Sequence, residues 1–286
     1  MIKHAAAATA DPVGVPGVAT DLRDPIISIR GVGHVFRTKG RRVEALQKTD
    51  LDVRSGEFMT IVGPSGCGKS TLMNIIIGLY RQTSGEVFFK GQPHAGVNRK
   101  IGYVTQADNL YPWRTLRQNV EFPLEVRGVS PAERKDRAEH MIARVGLRGF
   151  EACYPHELSG GMRQRANIIR TLVYDPEVIL MDEPFGPLDA QTRLILQNQL
   201  LELWQEERKT IVFITHDLGE AVALADRVVV MSARPGRIKT LSDVPIDRPR
   251  DLFELHADPV FQRTYREMWS SLEEEVKKAS GPMGMN

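Results

Sequence analysis

Gly63-Pro64-Ser65-Gly66-Cys67-Gly68-Lys69-Ser70 fits the pattern G-x-x-x-x-G-K-[ST], and its flanks give the pattern chemical meaning. The apolar run Phe58–Val62 before it reads as a buried strand, and a helical pattern opens at Thr71. A strand, a glycine-rich turn and a helix in that order let successive backbone N–H groups point inward around an anion. The helix N-terminus adds partial positive charge. Lys69 supplies a full charge for the β- and γ-phosphates, and the Ser70 hydroxyl suits a Mg²⁺ shell that otherwise keeps water. The stretch predicts a nucleoside-triphosphate cradle of Gly63, Pro64, Ser65, Gly66, Cys67, Gly68, Lys69, Ser70 and Thr71. Cys67 holds a variable position of the pattern and reads as a small buried side chain, not a redox group.

A second piece of chemistry lies far along the chain. Val178-Ile179-Leu180-Met181-Asp182-Glu183 is an apolar strand ending in two carboxylates, where a parallel strand would deliver them beside the phosphates. Asp182 is the candidate Mg²⁺ ligand. Glu183 is the candidate to orient and polarise water in line with the γ-phosphate. Alone, an acidic pair at a strand end is more often a helix cap or surface charge. The phosphate cradle shifts the reading to function.

From Ile26 onward short β-branched runs alternate with longer helical patterns, which is the signature of α/β architecture. Strands are expected at 57–62, 86–89, 101–104, 178–181, 210–214 and 227–231, and helices at 71–79, 131–145, 162–174, 191–207 and 218–225. The helix-rich stretch at about 113–174 reads as a subdomain inserted into a nucleotide core of residues 25–240. Residues 241–286 form an extension whose 258–278 segment has amphipathic helical spacing, with Glu273-Glu274-Glu275 and Lys277-Lys278 as a solvated face. Residues 1–24, an alanine run cut by Asp11 and Pro12, read as a poorly ordered leader without the apolar centre of a secretory signal.

Composition removes other classes. Lys and Arg number 38 against 36 Asp and Glu, a formal net charge of +2, so no broad positive field points to nucleic acid or an anionic membrane. With 42% hydrophobic and 26% charged residues the chain is globular, not mainly disordered. Cys67 and Cys153 make no disulfide framework or zinc site and are expected to be reduced thiols of a cytosolic protein. No run approaches the ~18 apolar residues needed to cross a bilayer.

Leu158-Ser159-Gly160-Gly161-Met162-Arg163-Gln164-Arg165, opening a helix, resembles the signature sequence of ATP-binding cassette (ABC) ATPases. The resemblance covers about 26–232. It implies a P-loop ATPase of ABC type, with an N-terminal antiparallel β region and an inserted helical subdomain, that binds ATP and Mg²⁺. It further implies that Gln106 senses Mg²⁺ and the γ-phosphate, Glu183 is the catalytic carboxylate, Asp189 belongs to the D-loop, His216 is the switch histidine and Phe36 stacks on adenine. Phe36 has core packing as its rival. Ser159, Gly160 and Gly161 form a second backbone-donor anion site that a single chain has no triphosphate to fill. By resemblance, two copies pack head to tail so that each signature meets the ATP of the other. Met162 stands where many members have glutamine, and Gly186-Pro187 precede Leu188-Asp189 where serine and alanine are common. That change removes a D-loop hydroxyl from the interface.

No fused membrane segment, long heptad arm or second cassette is evident, an arrangement similar to the separate ATPase subunits of bacterial importers. The segment from Tyr111 to Val120 and the turn Ser232-Ala233-Arg234-Pro235-Gly236-Arg237 resemble the nitrate/sulfonate/taurine importer group. That resemblance implies a subunit at the cytoplasmic face of the membrane, working with transmembrane permease subunits and an extracytoplasmic solute-binding protein. Trp113 is then a candidate permease contact, with a place in the subdomain core as the alternative. An exporter or lipid-transport ATPase, and a soluble non-transport ABC ATPase, are the competing readings.

Overall fold

The computed structural model describes residues 25–38 and 40–280, so the expected leader lies outside the described residues. The chain runs β1 (Pro25–Thr38), β2 (Arg41–Arg54), β3 (Phe58–Val62), α1 (Lys69–Ile76), β4 (Ser84–Phe89), β5 (Gln92–Pro93) and β6 (Ile101–Val104). Next come α2 (Leu116–Val126), α3 (Pro131–Arg144), α4 (Gly160–Leu172), β7 (Val178–Asp182), α5 (Ala190–Glu207) and β8 (Thr210–Ile214). It finishes with α6 (Leu218–Leu224), β9 (Arg227–Met231), β10 (Ile238–Asp243) and α7 (Pro259–Ser280).

The central six-stranded sheet has the order β10-β9-β3-β8-β7-β6, with β10 antiparallel at its edge and the other neighbours parallel. Its inner strands are buried almost end to end and mostly apolar because both faces are covered. Alternate residues divide between two cores. Phe58, Val62, Ile179 and Met181 face α5, α6 and α7, while Met59, Ile61, Val178 and Leu180 face α1 and the N-terminal strands. Those strands form a separate antiparallel sheet of order β2-β1-β4-β5. This alternation makes strand register decisive, since a slip of one residue would exchange the two apolar sets.

Between β6 and β7, helices α2, α3 and α4 enclose an apolar cluster of their own, with Leu116, Val120, Ile142, Leu147 and Ile169 at its centre. Helix α2 was not singled out in sequence because Pro123 reads as a helix breaker. Its start is secured by a capping box in which Thr115 and Gln118 satisfy each other's backbone N–H groups. Leu116, Val120 and Leu124 then anchor one face, which offsets the backbone bond that proline removes.

Helix α7 corrects the reading of the tail as a solvated charged face. Glu273 and Lys277 do pair at the surface. Glu275, however, is only 4% exposed and accepts a hydrogen bond from the Ala233 backbone N–H at 2.9 Å. The triple-glutamate run concealed it, because helical rotation turns each member to a different side. Phe261, Met268 and Leu272 on the same helix are buried against the central sheet.

Candidate active site

The phosphate loop, Gln106, Asp182, Glu183 and His216 follow the carboxyl ends of β3, β6, β7 and β8, the edge where open α/β sheets place ligands. The loop of 63–68 leaves β3 and feeds α1. Gly66 and Gly68 have φ values of +73° and +106°, a conformation that costs residues with a Cβ but not glycine. Gly63 must also be small, because a Cβ there would approach Cys67 Sγ and the Met231 carbonyl to 3.0 Å. Lys69 is buried and folds back over the loop, its Nζ donating to the carbonyls of Gly63 at 2.8 Å and Pro64 at 3.1 Å. Ser65 and Gly66 remain exposed, Thr71 half-buried, and Cys67 is buried with its thiol pKa raised by desolvation. A protonated, inaccessible thiol agrees with a packing role for Cys67.

Asp182 ends β7. Burial raises its pKa, opposed by hydrogen bonds from Ser70 and Tyr103, and Tyr103 Oη donates to its Oδ2 at 3.3 Å. A half-desolvated carboxylate bonded to the hydroxyl that follows Lys69 is an oxygen donor set suited to Mg²⁺. The residues present therefore fit that ion. Tyr103 was not singled out in sequence, since an alternating strand tyrosine carries no signal that it reaches a carboxylate on the neighbouring strand.

Glu183 follows in a left-handed conformation at φ +45°, held by its N–H donating to the Ile214 carbonyl at 3.0 Å. His216, just past β8, places Nδ1 3.0 Å from Glu183 Oε2. Gln106, exposed after β6, borders the same opening. A Cβ on Gly186 would have Gln106 Nε2 at 3.8 Å and Glu183 Oε2 at 3.9 Å. The loop carrying Gln106 is fastened to α4, with Arg163 Nε donating to Asp108 Oδ2 at 3.0 Å and Asn167 Nδ2 to the Thr105 carbonyl at 3.2 Å. The Gln106 loop and the signature helix thus share one set of bonds, which ties that loop to the helical region.

The remaining candidates lie on other elements. Ser159 caps α4, its Oγ accepting from the Met162 N–H at 3.3 Å, and Ser159 and Gly160 are exposed. Gly161 is buried against α5, where a Cβ would meet Thr192 Cγ2 at 2.8 Å. Asp189 caps α5 by accepting from the Thr192 N–H at 2.9 Å. Phe36 is half-buried in an aromatic group, edge-on to His34 with centroids 4.5 Å apart and to Tyr80 at 5.8 Å. Trp113 is 70% exposed beside Tyr111, which removes the reading of it as a core residue.

Comparison with known proteins gives a consistent answer. A family model described as ABC transporter matches residues 46–186. An uncharacterized ABC transporter ATP-binding protein of Methanocaldococcus jannaschii is 47% identical over 253 residues, covering 88% of this chain and 93% of that protein. The aliphatic sulfonates import ATP-binding protein SsuB of Bacillus cereus is 42% identical over 224 residues, 78% of this chain and 88% of the relative. Among solved structures, a post-hydrolysis dimer of the cassette MJ0796 bound to ADP and Pi has a TM-score of 0.69 and 32% identity, covering 77% of this chain and 100% of that one. With a phosphate loop, a strand-end carboxylate pair and a histidine at one sheet edge, the chain belongs to the ABC transporter family, as an ATP-binding subunit with ATPase activity.

Proposed function

We propose that this chain is the ATPase of an importer for a small solute of the sulfonate, nitrate or taurine kind. Two copies close head to tail around two MgATP molecules at the cytoplasmic face of the membrane. Separate permease subunits and an extracytoplasmic solute-binding protein complete the system. The observation that carries this reading is an asymmetry. One end of the sheet concentrates Lys69, Asp182, Glu183 and His216, while Ser159 and Gly160 stand exposed on another helix with no bond to that centre among those described. An exposed helix start with free donors is half of an anion site, and a second copy supplies the other half. The names of the sulfonate-import relatives and the dimeric state of the MJ0796 cassettes support the same reading.

In the chemical step, the loop amides and Lys69 hold the β- and γ-phosphates, and Asp182 with Ser70 would hold Mg²⁺, which neutralises charge on the transferring group. Glu183 accepts from and orients the attacking water. His216, bonded to the same carboxylate, fixes its rotamer and reports the γ-phosphate to α6. Gln106 conveys the same state through Asp108 and Arg163 to the helical region, where exposed Trp113 is the candidate permease contact.

Co-purification from membranes with a permease encoded beside this chain tests the transport role. Recovery with ribosomes or DNA and no membrane protein would overturn it. Solute-dependent growth of a deletion strain identifies the cargo.

A further inference from the structure

The phosphate loop rests on a wall that the chemistry above does not use. A Cβ on Gly63 would touch the Met231 carbonyl at 3.0 Å, and one on Gly68 would meet Leu46 Cδ2 at 2.8 Å and the Ala45 carbonyl at 2.9 Å. Closest of all, a Cβ on Gly236 would fall 1.9 Å from the Cys67 carbonyl oxygen, so the backbone of Gly236 lies directly against the loop. Gly236 is itself clamped to β2, its N–H donating to the Ala45 carbonyl and its carbonyl accepting from the Gln47 N–H, both at 2.9 Å.

Gly236 belongs to the turn 232–237, which closes on itself through the Ser232 N–H to the Arg237 carbonyl at 2.9 Å and the Arg237 N–H to Ser232 Oγ at 3.1 Å. One group outside the turn grips it from the far side. Glu275 of α7 accepts from the Ala233 N–H at 2.9 Å, and its other oxygen lies 3.1 Å from Lys239 Nζ and 2.8 Å from Lys278 Nζ. The donors on Lys278, Ala233 and Lys239 hold its carboxyl down to about 2 despite burial, so it stays charged. A buried carboxylate that joins the turn, through Ala233, to β10, through Lys239, and to its own helix, through Lys278, restrains the turn against α7.

We propose that Glu275 is a positioning residue for the phosphate loop: it ties the C-terminal helix to the 232–237 turn, and the turn's Gly236 backs the Cys67 peptide from which the loop is built. Occupancy of α7 on the core thereby sets how well the loop amides are organised for nucleotide. The inference rests on the nucleotide reading of the 63–70 loop.

The test uses the full chain. Glu275→Ala is expected to raise the MgATP dissociation constant and KM about 5-fold, with kcat within 2-fold of wild type. Glu275→Gln, which keeps an oxygen to accept from Ala233, is expected to recover most of that loss. Glu273→Gln, at the exposed Glu273–Lys277 pair, is expected to behave as wild type. Hydrogen exchange carries the test if the alanine variant does not fold: in the wild-type chain, ATP must slow exchange at 232–237 together with 63–70. Wild-type affinity in Glu275→Ala, or no ATP effect at 232–237, overturns the proposal. Lys69→Ala runs alongside; if that variant bound ATP normally, the nucleotide reading itself would fall, a result distinct from failure of the brace.

Discussion

His216 Nδ1 lies 3.0 Å from Glu183 Oε2, and Glu183 is held at φ +45° by a backbone bond to Ile214. A left-handed backbone at a residue with a Cβ costs about 1–2 kcal/mol, and the surrounding fold must over-determine it to keep it. Here the backbone bond to the adjacent strand supplies that constraint, and it aims the carboxylate at the histidine one strand away.

The first consequence concerns the carboxylate. Glu183→Gln keeps the size and the bond to His216 but removes the charge that polarises water. Turnover is expected to fall by about 10²-fold or more while MgATP affinity stays within a few-fold. The ATP-bound dimer should then accumulate. Phosphate release and gel filtration with ATP check both parts, and a chain that stays monomeric yet hydrolyses at full rate would sink the assignment.

Lys69 makes a different demand. Its ammonium already satisfies the Gly63 and Pro64 carbonyls and stands ready for anionic oxygens. Lys69→Ala removes a charge-assisted donor, worth about 2 kcal/mol or roughly thirty-fold in affinity. Calorimetry with MgATP measures it, and unchanged affinity counts against the cradle.

How much of this was legible beforehand follows from where the information is stored. The phosphate loop, Asp182 and Glu183 sit at strand ends marked by apolar runs, so local pattern singled them out, whereas His216 was singled out through the resemblance to ABC ATPases. The signature serine was readable through the resemblance of Leu158–Arg165 to the ABC signature, and its cap on α4 is what the structure adds. Tyr103, Arg163 and Gly236 act across tertiary contacts to Asp182, Asp108 and Cys67, and no spacing in the chain encodes such partners. Glu275 was misread for the same reason: exposed and buried glutamates have identical composition and differ only in which way the helix faces. Helix α2 was obscured by Pro123, a true local signal outweighed by its cap and apolar face.

Glu220 on α6 gives a pH signature. It accepts from Gln197 Nε2 at 2.7 Å, and burial pushes its carboxyl up to about 6 although Thr215 and Gln197 pull it down. The unfolded chain titrates this group near ~4.3. The folded state thus binds its proton more tightly, so the contribution of Glu220 to stability is complete below pH ~4 and is lost as pH rises through about 6. Other carboxylates titrate in the same range, and the difference between wild type and Glu220→Gln isolates this one. Denaturant titrations from pH 4.5 to 7.5 should show wild type losing ground to the variant as pH climbs; a constant gap would contradict the assignment.

The two glycines that border the site should respond very differently to a methyl group. At Gly186 the nearest atom to an added Cβ is the Glu183 carbonyl at 3.4 Å, an ordinary contact, whereas at Gly236 it is the Cys67 carbonyl at 1.9 Å. Neither position has a left-handed φ among those recorded, so space alone separates them. Gly186→Ala is expected to leave stability within about 0.5 kcal/mol. Gly236→Ala must displace either the turn or the loop peptide, at a cost of about 1–3 kcal/mol, with a melting midpoint lowered by several degrees. Because the displaced peptide belongs to the phosphate loop, saturating MgATP should recover part of that loss by binding only the ordered form. Thermal melts of both variants with and without MgATP decide the matter, and equal melting midpoints for the two would show that the backbone contact is not what holds the loop in place.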